Sequence, residues 1–347
     1  MSDRVVRIAV LCPSEIAKRR FMPALAKVEG AEFVGIGCAT PEERAVGASS
    51  VGPDAAERAD RQLAAAQEFA REFGGRVWES FEALLADPAV DALYIPLPPA
   101  LHYPWAKRAL LAGKHVLMEK PFSMDAAQAS ELIALSDERG LAVHENYMFA
   151  FHSQIAYLQR QLAEGTVGDV RCIRVDFGFP FRGGSDFRYS KDMGGGALLD
   201  CGGYTLKLAS MLLGPAAKVT AASMGYGRGF EVDLFGSATL EGEDGAVVQV
   251  AFGMDNDYRC DVDVWGSTAT LRSHRILTAP DGFAPTFELS SNGQVQTVSL
   301  EPDDSFGKSI EHFLRCIADD GVAARQREEI LRQAALVDDF LQAATSK

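Results

Sequence analysis

The sequence lacks an apolar run of 18 residues, about the length that a helix needs to cross a bilayer. It also lacks a CxxC pair, and its six cysteines are scattered, which is typical of reduced thiols rather than of disulfides or a zinc site. Its densest basic segment, Lys18-Arg19-Arg20, is short, and the 347 residues carry a formal net charge of −14. Because nucleic acid phosphates repel an acidic chain, we expect a protein that binds neither nucleic acid nor membranes.

Two further absences narrow the class. No grouping of His, Cys, Asp and Glu has the spacing of metal ligands, so we expect no metal. The N-terminal residues run into an apolar segment with no small-residue cleavage site after it, which is unlike a signal peptide and predicts a cytoplasmic protein. The chain is 47% hydrophobic, enough for a sizeable core, and its length predicts two domains or one large one.

Residues 1–145 alternate short apolar segments with helical patterns. Arg7–Cys12 is a continuous apolar run typical of a buried strand, and Glu32–Ile36 predicts a second strand. Strands that alternate with helices indicate βαβ units and a parallel sheet. This pattern fills residues 1–145, which the family resemblance described below implies to be a dinucleotide-binding domain. The segment 42–61, rich in Gly, Ser and Pro, interrupts the pattern and is expected to be a surface excursion.

After residue 145 the pattern changes. Strand-like segments follow one another at hairpin spacing from residue 170 to residue 300, and a helical pattern ends the chain. Such a succession indicates a mostly antiparallel sheet. The expected fold class is α/β, with an α+β second domain over residues 146–347, to which the family resemblance described below assigns substrate binding and oligomerisation. The apolar halves of Val232–Leu240 and Val247–Phe252 are expected to bury one sheet face against another subunit.

The turn after the first strand is where a dinucleotide fold holds a pyrophosphate, with glycines and a helix N-terminus. The three fingerprint positions are Cys12, Ser14 and Ala17, with Glu15 and Ile16 between the last two. Only the alanine is usual there, because a Cβ at either of the first two positions narrows the space for phosphate. A plain βαβ crossover is therefore an equal alternative for this segment.

The second strand ends without the carboxylate that would bind the ribose of NAD, and without an adjacent arginine for the 2′-phosphate of NADP. Thr40 can hydrogen-bond a phosphate, with Arg19 or Arg20 as a partner. This favours NADP slightly over NAD.

Two later segments carry side chains suited to redox chemistry. Lys120, in Glu119-Lys120-Pro121, follows a predicted parallel strand and so lies at the sheet edge where ligands bind. Asp200 and Tyr204 follow three glycines, and their spacing places a carboxylate and a phenol on one helix face. Alone, the lysine would be a solvated loop residue, and the other two a capping aspartate and a core tyrosine.

Together these residues resemble the glucose-fructose oxidoreductase / inositol dehydrogenase (Gfo/Idh/MocA) family. The resemblance rests on the order of Ile-Ala-Lys-Arg-Arg, Ile-Pro-Leu-Pro with His102, Glu-Lys-Pro and Gly-Gly-Gly-Ala-Leu-Leu-Asp. It implies a Rossmann domain, an open antiparallel sheet used for oligomerisation as a homodimer or homotetramer, and NAD(P)-dependent chemistry. Tyr204 stands where many relatives have histidine, and the flanking segments look most like the nucleotide-sugar 3-ketoreductases.

The resemblance implies three groups of site residues. The catalytic residues are Lys120, Asp200 and Tyr204. The cofactor-binding residues are Cys12, Ser14, Glu15, Ile16, Ala17, Thr40, Leu97, Pro98, His102, Glu119, Lys120 and Arg188. The substrate-binding residues are Lys120, Tyr147, Phe149, Asp200 and Tyr204. His102 can instead cap the helix that follows it, and His144 and His152 are weaker substrate candidates.

The expected reaction is reduction of a ring ketone on a sugar or nucleotide-sugar. A free phenol has a pKa of about 10, and an ammonium nearby lowers it, so Tyr204 would be the general acid and Lys120 its electrostatic partner. Asp200 would orient a substrate hydroxyl, and Arg188 would hold a phosphate or the cofactor's carboxamide side. The same groups serve a sugar or trans-dihydrodiol dehydrogenase. Since the family usually has glycine where this chain has Cys12, a non-catalytic dinucleotide- or sugar-binding protein is the alternative of another class.

Overall fold

The computed structural model describes residues 5–44, 55–184 and 186–345. The strands of the first part of the chain are β1 Val6–Val10, β2 Ala31–Gly37, β3 Arg76–Trp78, β4 Ala92–Ile95, β5 His115–Met118 and β6 Val143–Glu145. They pair in the order β3-β2-β1-β4-β5-β6, and every pairing is parallel. This is the strand order of a Rossmann sheet, as predicted.

Helices connect these strands. They are α1 Met22–Leu25, which a π-helical turn (Ala17–Phe21) precedes, α2 Pro41–Arg44, α3 Ala55–Phe73, α4 Phe81–Ala86, α5 His102–Leu111 and α6 Ala126–Arg139. A surface excursion was expected over 42–61. The structure is helical at both ends of this segment, where α2 ends at Arg44 and α3 begins at Ala55. Residues 45–54 lie outside the described residues. The α3 segment is rich in Ala, Glu and Arg, which favour helix strongly.

The second sheet has eight strands. They are β7 Val170–Gly178, β8 Lys218–Tyr226, β9 Asp233–Glu241, β10 Val247–Gly253, β11 Arg259–Gly266, β12 Thr270–His274, β13 Thr286–Ser291 and β14 Gln294–Ser299. Their order is β14-β13-β12-β11-β7-β10-β9-β8. The pairing of β7 with β10 is parallel and the other pairings given are antiparallel. The expected open, mostly antiparallel sheet is confirmed.

The remaining helices are α7 Ser153–Ala163, α8 Gly203–Leu213, which a π-helical turn (Leu198–Gly202) precedes, α9 Ser305–Ala318 and α10 Asp320–Thr345. Two of them cover one face of the second sheet: Phe340 of α10 lies 5.4 Å from Phe252 between ring centroids, and Gly202 lies against the same ring. The apolar face of β9 and β10 is therefore buried by the chain itself, and not against another subunit as the alternation suggested. Among the described residues, no helix is both long and apolar enough to span a bilayer.

The chain divides into two compact units, one of Met1–Asn146 with Phe306–Leu331 and one of Tyr147–Ser305 with Arg332–Lys347. The division between domains expected at residues 145 and 146 stays a prediction. The segment Phe306–Leu331 returns to the first unit, which a division in chain order does not anticipate. It brings part of α9 and α10 into the unit that carries the parallel sheet.

Phe252 and Phe235 offer a matched test of this arrangement. Phe252 is 4% exposed and packs under the helices, whereas Phe235 on β9 is 49% exposed. Phe252→Ala should lower the free energy of unfolding by about 3–5 kcal/mol, because a buried ring leaves a cavity, and Phe235→Ala by less than about 1 kcal/mol. Urea unfolding measures both, and equal losses would contradict the assignment of the covered face.

Candidate functional site

The carboxyl ends of the parallel strands bring the predicted residues of the first unit to one edge. Sheet hydrogen bonds continue past the strand ends: the N–H of Leu11 donates to Tyr94, that of Glu119 to Ile95, and that of Asn146 to Met118, over 2.9–3.1 Å. The segments after β1, β4, β5 and β6 are thus fixed side by side. In open parallel sheets this edge is where ligands bind.

At the turn after β1, Ser14 acts as a helix cap. Its hydroxyl oxygen accepts the N–H of Ala17 over 3.2 Å, which satisfies a donor that a glycine would leave free for phosphate. The thiol of Cys12 accepts the side-chain amide of Gln62 over 2.9 Å, and burial raises its pKa to about 11. Cys12 is therefore a neutral packing residue. Glu15 is exposed and Ile16 half-buried at the start of the helix.

At the end of β2, Thr40 and Glu43 form a reciprocal capping box on α2. The Thr40 hydroxyl accepts the N–H of Glu43 over 3.2 Å, and the Glu43 carboxylate accepts the N–H of Thr40 over 2.8 Å. The same carboxylate accepts from Ser80, Phe81 and Glu82. Thr40 therefore holds the end of this segment, and its expected contact with phosphate stays a prediction.

The sequence analysis missed Arg44, which α2 places at the end of β2. The Arg44 guanidinium donates to the side-chain oxygen Oε1 of Gln62 over 2.9 Å, and the N–H of Ala39 donates to the same oxygen. Burial and the positive charges of Arg58 and Arg61 lower the pKa of Arg44. No carboxylate pairs with it among the described residues. Arg44 thus places a positive charge at the end of β2, where Rossmann folds that use NADP bind its 2′-phosphate. The sequence analysis missed it because Arg44 lies several residues after the end of the strand in the sequence.

At the end of β4, His102 joins two loops. Its ring nitrogens lie 2.7 Å from the carbonyl oxygens of Leu97 and Pro121. The side chain is fully buried, and burial lowers its pKa to about 4, so the neutral ring has one N–H to donate to the two oxygens. His102 thus holds the Leu97-Pro98 segment and the Pro121 loop together, and its expected contact with the cofactor stays a prediction.

At the end of β5, the Glu119 carboxylate accepts hydrogen bonds from Tyr94 and Asn146, each over 2.7 Å. Burial raises the pKa of Glu119, while these donors and the charge of Lys120 act in the opposite direction. Lys120 is half-buried and a cis peptide bond joins it to Pro121. Glu119 is therefore engaged inside the unit, and the expectation that Lys120 meets a ligand at this edge stays a prediction.

In the second unit, the three glycines let the chain pass tightly beneath Arg188. A Cβ on Gly195 would lie 2.3 Å from the Arg188 carbonyl oxygen, and the N–H of Gly196 donates to that oxygen over 2.9 Å. The Arg188 side chain donates to Asp200 over 2.7 Å and to Asp186 over 3.2 Å. With two carboxylates around it, Arg188 orients Asp200, and its predicted contact with the cofactor stays a prediction.

Tyr204 lies among aromatic rings. Its centroid is 5.2 Å from that of Tyr147, 5.3 Å from Phe177 and 5.8 Å from Phe149. Tyr147 is 1% exposed and Phe149 2% exposed, and both pack around Tyr204. Their expected contact with substrate stays a prediction. Gln333 donates to the Gly203 carbonyl over 2.9 Å at the start of the same helix. The Tyr204 ring is thus held in place by the aromatic rings packed around it.

Asp233, which the sequence analysis did not single out, caps the helix that carries Asp200 and Tyr204. Its carboxylate accepts the N–H of Leu198 over 2.7 Å, and Gly196 is required beside it because a Cβ there would lie 2.4 Å from the carboxylate. Burial raises the pKa of Asp233 to about 6, against the effect of the helix N–H groups. A strand residue thus anchors the start of the helix that carries Asp200 and Tyr204.

Two histidine candidates turn out to be interior residues. His144 is fully buried and lies 2.8 Å from the Ser309 hydroxyl. His152 is 2% exposed and its Nδ1 accepts the N–H of Gln154 at the start of α7. Among the described residues, no group of three His, Cys, Asp or Glu side chains is placed to hold a metal ion.

Comparisons with known proteins agree with this arrangement. Residues 31–147 match the family described as "Oxidoreductase family, NAD-binding Rossmann fold", and residues 155–272 match the "GFO/IDH/MocA C-terminal domain". The chain belongs to the Gfo/Idh/MocA family. The predicted family and an NAD(P)-dependent oxidoreductase are thereby confirmed.

Similarity within the family extends over the whole chain. A dTDP-3,4-didehydro-2,6-dideoxy-alpha-D-glucose 3-reductase of Actinomadura kijaniata is 36% identical over 333 residues, covering 96% of this chain and 94% of that protein. The enzyme of the same name from Streptomyces violaceoruber is 37% identical, covering 98% and 96%. The crystal structure of KijD10, a 3-ketoreductase from A. kijaniata in complex with NADP and TDP-benzene, has a TM-score of 0.88 at 34% identity and covers 98% of each chain. Solved structures of KijD10 include lysine variants and a tyrosine-to-phenylalanine variant.

Asp233 makes stability depend on pH in a way that can be measured. Its folded pKa of about 6 exceeds its ordinary value of 3.8, so between these pH values the unfolded chain binds fewer protons and the native protein loses stability as pH rises. Asp233→Asn does not titrate and lacks this loss. The advantage of the wild type over Asp233→Asn should therefore fall by about 3 kcal/mol from pH 4 to pH 7.

Urea unfolding of the wild type and of Asp233→Asn at the two pH values measures this change in relative stability. For the control Asp255→Asn, at an exposed position, the stability relative to the wild type should be the same at both pH values. A difference between wild type and Asp233→Asn that is the same at pH 4 and pH 7 would contradict the burial of an ionised carboxylate at this helix start.

Proposed function

We propose that this protein is an NADPH-dependent ketoreductase that reduces a ring ketone of a nucleotide-activated sugar. The observation that carries the proposal is the helix that holds Asp200 and Tyr204, with the carboxylate ion-paired to Arg188 and the phenol fixed among rings. The similarity over the whole chain to dTDP-sugar 3-reductases supports a dTDP-sugar with a ketone at C3 as the substrate. The substrate class and the residue roles are our proposal.

Tyr204 is the general acid in this proposal. Reduction leaves negative charge on the carbonyl oxygen, and a phenol beside that oxygen donates the proton as the charge develops. The rings of Tyr147, Phe149 and Phe177 fix the Tyr204 ring, so little conformational freedom is lost when the phenol meets a substrate. Asp200, held by Arg188, accepts a hydrogen bond from a neighbouring sugar hydroxyl.

Lys120 is the electrostatic partner. An ammonium near a phenol favours phenolate and lowers the phenol pKa toward the working pH. Glu119 fixes the segment that carries Lys120 through Tyr94 and Asn146. Lys120 would also hold the cofactor by donating to the ribose hydroxyls next to the nicotinamide, and the nicotinamide would supply the hydride.

The residues at the end of β2 fit NADP better than NAD. Arg44 is an unpaired cation within the described residues, held by Gln62, and the positive charges of Arg58 and Arg61 add to the same potential. No carboxylate follows β2 at the position that would select the 2′-hydroxyl of NAD. Arg44 therefore binds the 2′-phosphate, a role that the sequence analysis gave to Arg19 or Arg20.

We also propose that the protein is a cytoplasmic homodimer or homotetramer. The resemblance to the family supports this, and so does the face of the second sheet that the helices leave open. That face carries large exposed rings, with Trp265 63% and Phe235 49% exposed. A second copy is the partner that the family resemblance implies for such a face.

Tyr204→Phe should lower kcat by about 10²–10⁴-fold, because the general acid is removed while the ring remains. NADPH affinity should not change, since the phenol does not meet the cofactor's phosphates. The assay follows NADPH absorbance with a dTDP-3-ketosugar, and Tyr157→Phe on α7 is a matched control that should retain activity.

The outcomes separate the alternatives. Full activity in Tyr204→Phe would contradict the acid assignment. Oxidation of sugars or dihydrodiols without ketone reduction would instead favour a sugar or trans-dihydrodiol dehydrogenase, and NADPH binding without any turnover would favour the non-catalytic protein.

Arg44→Ala should weaken NADPH binding by about 10–100-fold, the value of a charged contact to a phosphate. NADH binding should be unchanged, because NADH has no 2′-phosphate. Tryptophan fluorescence quenching measures both, with the exposed Arg71→Ala on α3 as the control. An equal loss for the two cofactors would show that Arg44 acts on the fold and not on the phosphate.

A further inference from the structure

A chain of hydrogen bonds links the returning helix α9 to the loop of Lys120 through the interior of the first unit. The Ser309 hydroxyl donates to Asn146 Oδ1 over 2.8 Å, and Asn146 Nδ2 donates to the Glu119 carboxylate over 2.7 Å. His144 Nε2 lies 2.8 Å from the Ser309 oxygen. His144 and Ser309 are fully buried and Asn146 is 1% exposed, so solvent does not compete for the bonds that join these three residues. Glu119, at the end of the chain of bonds, is half-buried.

The direction of every bond in the chain follows from the chemistry of its groups. An ionised carboxylate only accepts, so the amide nitrogen of Asn146 must face Glu119 and its oxygen must face Ser309. Ser309 has one hydroxyl hydrogen, which Asn146 takes, so His144 Nε2 must carry a proton and donate to Ser309. Each group therefore donates toward Glu119, and the aligned dipoles stabilise a negative charge there.

Ser309 supports the orientation of Asn146 that the Glu119 carboxylate requires. If the Asn146 amide rotated and presented its oxygen to Glu119, the Ser309 hydroxyl would face an N–H₂ group. While the hydroxyl donates to Oδ1, the rotated state also loses the bond to Ser309. The serine thus adds to the preference for one of the two amide orientations.

We propose that Ser309 is a positioning residue for Lys120: through Asn146 it keeps the carboxylate of Glu119 ionised and in place next to the lysine. The role in catalysis rests on the proposed function, whereas the effect on Glu119 does not. Ser309 touches no ligand in this account, and it acts from a helix more than 180 residues along the chain from Lys120.

The groups around Glu119 leave few other sources for this effect. Tyr94 of β4 donates to the same carboxylate, and Lys120 is the adjacent cation. Glu145 of β6 accepts the N–H of Phe122 over 2.8 Å. Among the described residues of β6, His144 is a titratable group that is linked to Glu119 by hydrogen bonds, through Ser309 of α9 and then Asn146.

The test follows the protonation of Glu119 directly, in the full-length protein without any ligand. Infrared difference spectra against pH show the carbonyl stretch of a protonated carboxylic acid, and Glu119→Gln identifies the Glu119 band by its loss. In Ser309→Ala the midpoint should move to higher pH by about half a unit to one unit, because a donor chain to the carboxylate is broken. Ser309→Thr keeps the hydroxyl and should retain the wild-type midpoint.

Ser136→Ala is the matched control. Ser136 is equally buried in the same unit, but its hydroxyl donates to the Leu141 carbonyl over 3.0 Å and has no link to Glu119. It should lose comparable stability without moving the midpoint. If Ser309→Ala does not fold, Ser309→Cys preserves volume with a weaker donor and should shift the midpoint in the same direction. A folded Ser309→Ala or Ser309→Cys with the wild-type midpoint would overturn the proposal.

A kinetic measurement adds the catalytic consequence. With NADPH and a dTDP-3-ketosugar, Ser309→Ala should lower kcat/KM by about 10-fold, the loss expected when a positioning hydrogen bond is removed, and Ser136→Ala should not. If the wild type reduces no such substrate, the proposed function fails while the infrared result still decides the role of Ser309. A shifted midpoint with unchanged kcat/KM would overturn the positioning role.

Discussion

The hydrogen bonds to the carboxylate of Glu119 are the interaction on which the carboxyl-end edge of the parallel sheet depends. This carboxylate lies at the end of β5, and Tyr94 and Asn146 reach it from β4 and β6. Burial alone would favour the neutral acid, so an ionised carboxylate requires these donors. Because the same donors fix three neighbouring strand ends, the electrostatics of the edge and its geometry are set together. Lys120 derives its position from this arrangement.

In the second unit a different carboxylate positions the segment that carries the predicted site residues. The helix of Asp200 and Tyr204 begins against Asp233, and glycines let the backbone approach both Asp233 and the Arg188 carbonyl. In each unit a functional side chain is thus held by a buried acceptor that touches no ligand. The loss of the fingerprint glycines at Cys12 and Ser14 fits this pattern, since Gln62 and the Ser14 cap occupy the polar groups that the turn exposes.

Local patterns were sufficient to predict much of this fold and part of the site. Arg7–Cys12 and Glu32–Ile36 were predicted as strands, and their bounds lie close to those of β1 and β2, because apolar runs act over a few residues. Contacts over long distances were beyond such patterns: Ser309 meets Asn146 across 163 residues, and Arg44 is brought to the β2 end by a capping box. An aromatic run also does not reveal which way its rings face, so the packing of Tyr147 and Phe149 around Tyr204 was beyond such patterns.

The most direct test of the account is the path of the hydrogen. The enzyme would be given NADPH deuterated at C4 of the nicotinamide, on each face in turn, with a dTDP-3-ketosugar, and the product examined by mass spectrometry and NMR. The account predicts that the deuterium from one face appears at C3 of the sugar, and that Tyr204→Phe slows this transfer without redirecting it. Deuterium that stays on the cofactor, or appears at another carbon, would contradict it.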